Sequence, residues 1–309
     1  MRQQVYIIHS MKKQLFVLLT LLIFFPGCNN VKREFEYSYP QIPSIIQDDV
    51  LRRAYLAEHY WDKIPWDDKT ITISKDKLRK HFYEYLTLIN ETGLSQANIL
   101  LNDLASKASS APYSFTEPFL ILFDESLNHP NSPMRHEGLY KSVVDIYIEN
   151  LPEDSSIREK LKWERELLVK NSVGKIAEDF NILFEDGGVI KLHKIESELT
   201  LIYFFEPDCN SCKEGVSLAE SNDAFSRFKK RHSVIAVYTG EDIRSYEMVA
   251  GSFPAGWKTG RDINNEVTVN RLYDRRASPS IYLLDKDKRV LIKDGDVESV
   301  IKYLEEIVK

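Results

Sequence analysis

Two cysteines separated by two residues, in Cys209-Asn-Ser-Cys212, are the part of this sequence best suited to chemistry. A thiolate can attack a disulfide sulfur, and a second thiol one helical turn away can then resolve the mixed disulfide. Two intervening residues enclose too small a loop for a bridge to stabilise much through chain entropy, so the pair serves chemistry or metal. A structural zinc site needs two more ligands. The chain has only one other cysteine, Cys28, and His232 has no partner at metal spacing. Covalent haem attachment would call for histidine at 213, which is Lys213. Peroxidase chemistry of the peroxiredoxin kind would call for Thr or Ser at 206, which is Glu206. Thiol–disulfide exchange is the expected chemistry, and it needs no cofactor and no metal.

The elements around the pair can be read from the pattern. Leu199 to Phe205 is a short, nearly continuous apolar run, as in a strand buried on both faces. A helix is expected from Cys212 to Phe228, so the cysteines fall where a central strand passes into a helix. At a helix N-terminus the orphan amides and the dipole favour a thiolate. Cys209, the more exposed of the two in that geometry, is assigned as nucleophile and Cys212 as the resolving thiol. Upstream, Phe180–Phe184 and Val189–Leu192 around Asp186-Gly187-Gly188 suggest a hairpin. Downstream follow a strand at Ser233–Tyr238, a helix at Asp242–Val249, strands at Ser280–Leu284 and Arg289–Ile292, and a closing helix from Val297 to Val308. This order predicts a thioredoxin fold, of α/β class, over residues 171–309.

Tyr203-Phe-Phe-Glu-Pro-Asp-Cys-Asn-Ser-Cys-Lys213, followed by Ala277-Ser-Pro-Ser-Ile-Tyr-Leu-Leu-Asp285, resembles the TlpA/ResA-type branch of thioredoxin-like proteins. The resemblance implies that Pro279 is cis and faces the cysteines. The backbone of Ser278 would then offer its N–H and C=O to an extended substrate segment, a form of strand addition. Two departures bear on the chemistry. Many relatives have Trp directly before the first cysteine, where this chain has Asp208, and a carboxylate there disfavours the thiolate. That argues against a strong oxidant. The buried acid that thioredoxins carry six residues before the first cysteine is Tyr203 here. Glu206 is then the nearest proton acceptor for Cys212 if it points inward, and a solvated loop carboxylate if it does not.

Residues 44–170 read as an all-α domain of about six helices. Leu78, Phe82, Tyr85, Leu86 and Ile89 recur at three- and four-residue steps. Ser74, Thr116 with Pro118, Ser132 with Pro133, and Ser156 with Glu159 are expected helix starts. Glu58-His-Tyr-Trp-Asp62 and Asn131-Ser-Pro-Met-Arg135 resemble a helical domain of unknown function that precedes such thioredoxin domains in envelope lipoproteins. Tyr55, Tyr60, Trp61 and Trp66 are expected to pack in its core. His59, His81, His129 and His136 share no metal spacing.

The 309 residues suit two domains of ordinary size, and the net charge of −6 with no basic aromatic-rich patch points away from nucleic acid. Lys12-Lys13 and the apolar run Leu15–Phe25 predict an export signal over residues 1–27, with translation starting at Met1 or Met11. Gly27-Cys28 resembles a lipobox, which makes Cys28 the lipidated residue and residues 28–43 a linker. The expectation is a lipid-anchored envelope thiol–disulfide oxidoreductase. Its partners would be thiols and disulfides of exported proteins and a membrane-bound electron donor. The alternative is a lipid-anchored binding module that keeps the thioredoxin fold as an inactive scaffold to hold a protein or glycan.

Overall fold

The computed structural model describes residues 33–307. The expected signal segment and Cys28 lie outside the described residues. Three hydrophobic clusters divide the rest, one drawn from residues 57–168 and two, on opposite faces of one sheet, from residues 177–304.

Six helices build the first core: α1 (Asp49–His59), α2 (Lys75–Asn90), α3 (Leu94–Ser110), α4 (Tyr113–Phe123), α5 (Glu137–Asn150) and α6 (Ser156–Val169). The apolar stripe of α2 is buried at Leu78, Phe82, Tyr85, Leu86 and Ile89, facing the rings of Phe119 and Phe123. Trp61 stands edge-on to Tyr85 and Phe119 at 5.5 and 5.3 Å. Each such pair adds about 0.5–1.5 kcal/mol to what its buried area supplies.

This part is not purely helical. Two short strands, β1 (Arg33–Glu34) and β2 (Ile71–Thr72), pair in parallel. The segment expected to be a free linker is also folded, since Phe35 and Tyr37 pack against the helical core and the Tyr37 hydroxyl donates to the Tyr60 carbonyl at 2.9 Å.

Several helix starts differ from expectation. The α6 cap is Ser155, whose hydroxyl accepts from the Arg158 N–H, so Ser156 is already helical. α4 begins after Pro112, which leaves Pro118 in its interior. The Thr116 hydroxyl donates instead to the carbonyls of Ala108 and Ala111. Ser132 and Pro133 lie in the turn before α5, whose cap is His136. Between α4 and that turn the helix widens into a π turn over Asp124–Asn128.

The other two clusters cover the two faces of a seven-stranded sheet of β3 (Asn181–Phe184), β4 (Val189–Lys191), β5 (Leu199–Phe205), β6 (Ser233–Tyr238), β7 (Trp257–Asp262), β8 (Ser280–Asp285) and β9 (Val290–Gly295). Their order is β4-β3-β7-β6-β5-β8-β9. β5 sits in the interior, parallel to β6 and antiparallel to β8. Alternate residues of a strand point to opposite faces. Leu201, Tyr203 and Phe205 therefore enter one core, and Ile202 and Phe204 enter the other.

After β5 come α7 (Asn210–Ser221) and α8 (Asp223–Phe228), two helices where a single one was expected. Asn222 ends the first and caps the second by accepting from the Phe225 N–H at 3.1 Å. α9 (Ile243–Ala250), α10 (Glu266–Val269) and α11 (Val297–Ile307) complete the domain. The expected thioredoxin order is present, with β7 added between β6 and β3.

Candidate active site

Cys209 is the N-cap of α7 and Cys212 lies in its first turn. The two are joined as a disulfide, with Cα atoms 5.2 Å apart. The Cys212 N–H donates to Cys209 Sγ at 3.0 Å, so one of the orphan amides of the helix N-terminus points at the outer sulfur. That contact strengthens when Cys209 becomes a thiolate. Cys209 is half-buried, and Cys212 is only 4% exposed. This asymmetry suits Cys209 to meet an incoming disulfide and Cys212 to act only after a mixed disulfide has formed.

The peptide bond Ser278-Pro279 is cis and leads into β8. The Ser278 carbonyl lies 3.5 Å from Cys209 Sγ and accepts a hydrogen bond from the Ser211 hydroxyl at 2.7 Å. The loop before β8 is thereby fastened to the first turn of α7. Ser211 was not singled out from the sequence, although it lies between the two cysteines.

Tyr203 fills the place of the missing buried acid. It is 1% exposed, and its hydroxyl donates to the Cys212 carbonyl at 2.7 Å. Burial holds the phenol well above the usual tyrosine range, so it stays a donor and cannot serve as a base near neutral pH. Gly215 makes room for it. A Cβ at this position would come within 2.7 Å of the Tyr203 oxygen and 3.1 Å of Val297. A glycine in the middle of a helix marks such a close approach in the sequence.

Glu206 lies at the rim of the site with its side chain 47% exposed, 4.0 Å from Arg275. Burial raises its pKa and the Arg275 charge opposes the rise. Among the described residues it has no hydrogen bond to either cysteine. Arg275 is itself held by the hydroxyls of Thr239 and Thr268. Asp208, directly before Cys209, is exposed.

A groove of about 320 Å3 opens beside the disulfide, with Phe205, Pro207, Val216, Val249, Phe253 and Pro254 as its apolar lining and Glu206 and Lys213 among its polar groups. The last three apolar residues come from α9 and the segment after it, which no motif marks. The site thus offers an accessible sulfur at a helix N-terminus, a backbone carbonyl beside it and an apolar floor. Such a site can exchange electrons with a disulfide presented on an extended chain.

Comparisons with known proteins bear on the fold. A thioredoxin-like protein from Bacteroides caccae ATCC 43185 is 26% identical and superposes with a TM-score of 0.76, over 88% of this chain and 99% of that one. It therefore spans the helical part as well as the sheet. A conserved protein of unknown function from Bacteroides fragilis is 32% identical, over 43% of this chain and 98% of that one, with a TM-score of 0.42. The thioredoxin domain of a thiol-disulfide oxidoreductase from Bacteroides vulgatus is 16% identical, over 45% of this chain and 99% of that one, with a TM-score of 0.40. No curated protein matches the sequence. The family model for a domain of unknown function, DUF5106, matches residues 11–171. The chain accordingly belongs to the DUF5106 family, and here that domain is followed by a thioredoxin-like fold.

Proposed function

We propose that this protein is an envelope thiol–disulfide oxidoreductase that reduces or isomerises disulfides of exported proteins through Cys209 and Cys212. The observation that carries the reading is the position of Cys209: it caps α7, receives the Cys212 N–H, and lies 3.5 Å from the carbonyl of a cis Ser-Pro bond. The likeness to a thioredoxin-like protein across most of both chains supports it.

In the reducing direction the Cys209 thiolate attacks one sulfur of a substrate disulfide and releases the other as a substrate thiolate. Cys212 then attacks Cys209 Sγ in the mixed disulfide, which frees the second substrate thiol and forms the Cys209–Cys212 bond. Two electrons pass to the substrate. A membrane-bound dithiol donor returns them, because no soluble reductase pool is expected outside the cytoplasm. The exposed Asp208 carboxylate beside Cys209 favours this direction, since it works against a deeply stabilised thiolate. Lipidation at Cys28 would hold the domain at the membrane.

The test is equilibration of the purified protein with reduced and oxidised glutathione. A reduction potential below that of the glutathione couple supports a reductant, and a potential above it overturns the direction. Thiols that stay unreactive until the protein is denatured overturn the exchange reading.

A further inference from the structure

The helical domain grips the loop that carries Ser278 and Pro279. Asp274 begins that loop and is 5% exposed. Its carboxylate accepts from Arg276 Nε at 2.9 and 3.1 Å and from Nη2 at 2.6 Å. Its carbonyl accepts from the hydroxyls of Ser280 and Tyr282 at 2.9 and 3.2 Å, which folds the loop back on itself. The same Arg276 Nη2 reaches across the domain boundary to Asn128 Oδ1 at 2.9 Å.

Asn128 is 5% exposed, and its Nδ2 donates to Asp124 Oδ1 at 2.6 Å, so its amide is fixed at both ends. Asp124 and Asn128 are the first and last residues of the π turn. Such turns are uncommon and recur at functional sites. Four residues apart, these two side chains meet on one face of the turn as a hydrogen-bonded pair. Two residues beyond Arg276, the Ser278 carbonyl meets Ser211 and Cys209. The path from Asp124 to the disulfide is therefore short: hydrogen bonds through Asn128 to Arg276, two residues of chain to Ser278, and the Ser211 contact. It is buried at Asn128 and Asp274 and exposed at Arg276, Ser278 and Ser211.

We infer that the helical domain sets the position of the cis-proline loop for substrate, with Asn128 as the positioning residue that acts through Arg276. This rests on the exchange function proposed above. A planar guanidinium can satisfy the Asp274 carboxylate and the Asn128 amide together, because its donors form a rigid fork. If the amide is removed, Arg276 keeps Asp274 but loses its fixed point in the other domain. The Ser278 backbone, which would pair with an extended substrate, is then free to shift. A displaced recognition loop weakens substrate binding. A merely less stable protein would instead lose active molecules, which lowers kcat at unchanged KM.

The experiment is steady-state reduction of insulin by the full chain, with dithiothreitol as the reductant. Asn128→Ala is expected to raise KM about fivefold with kcat changed by less than about twofold. The exchanged pair, Asp124→Asn with Asn128→Asp, keeps a donor for position 128 and an acceptor for Arg276, and is expected to return KM to within about twofold of the wild type. An unchanged KM in Asn128→Ala, or a raised KM that the exchanged pair fails to restore, overturns the inference. A wild-type chain inert toward insulin would remove the exchange function itself and this inference with it.

Discussion

The hydroxyl of Tyr203 donates to the carbonyl of Cys212 and occupies the space that a side chain at Gly215 would need. The two positions are therefore coupled. Gly215→Ala would gain about 1 kcal/mol of helix propensity but force a buried ring to move, at about 1–3 kcal/mol. A net loss of up to about 2 kcal/mol is expected in urea unfolding. Tyr203→Phe alone should cost on the order of 1 kcal/mol through the lost hydrogen bond. In the double variant the obstructing oxygen is gone, so the alanine should become neutral or stabilising. Strict additivity of the two changes would show that the contact is not what keeps glycine at this position.

A second coupled pair joins the domains. Asp294, at the end of β9 and with its side chain 4% exposed, accepts two side-chain hydrogen bonds from Arg135 of the helical domain. Nearby, Lys293 pairs with Glu137 at 2.8 Å and donates to the Leu168 carbonyl. Removing one partner of a buried ion pair leaves the other uncompensated, at about 3–5 kcal/mol. Arg135→Ala should therefore destabilise the protein by about that much, and adding Asp294→Asn should recover part of the loss. Equal unfolding midpoints for wild type and Arg135→Ala would mean that the pair contributes nothing to the fold.

What could be read in the sequence was local. The run Leu199–Phe205, the spacing of Cys209 and Cys212, and the Ser278-Pro279 step each carry their meaning within a few residues, and the structure brings all three together. β7 was missed because Trp257-Lys-Thr-Gly-Arg-Asp262 is mostly polar and has no apolar run. Its strand state comes from lying between β6 and β3, where a Cβ at Gly260 would meet Ile182 at 2.6 Å. Asn128 and Arg276 look like ordinary surface residues until 148 positions of chain fold to bring them together. Glu206 could be placed beside the cysteines from the sequence, but its pairing with Arg275 depends on a loop 69 residues away. Contacts between distant segments leave no periodic trace in either one.

The same boundary predicts a pH dependence. Burial pushes the Asp294 carboxyl up to about 6, against the opposing pull of Arg135. The folded protein then holds this proton to higher pH than the unfolded chain does. The associated stability is complete below about pH 4 and is lost as pH rises through about 6, on the order of 3 kcal/mol in all. Asp274 works in the other sense. Burial raises its pKa, but the bonds from Arg276 more than offset this and hold it below the usual range. Its contribution is lost only as pH falls below about 4. Unfolding measured between pH 4 and 7 should show stability falling with pH, with most of the slope removed in Asp294→Asn and a smaller part left to the raised Glu206 carboxyl. A slope that persists in full in that variant would assign it to another group.

The roles of the two cysteines make the most direct prediction. Cys209 is the accessible sulfur and Cys212 is buried behind it. Cys209→Ser should abolish insulin reduction, because Cys212 cannot meet a large disulfide. Cys212→Ser should still attack but be unable to resolve, so it should accumulate mixed disulfides that migrate as larger species on non-reducing gels and collapse with dithiothreitol. In an envelope fraction the trapped proteins would identify the natural substrates. The reverse pattern, with trapping by Cys209→Ser and none by Cys212→Ser, would require Cys212 to reach the surface. It would contradict the site geometry at its central point.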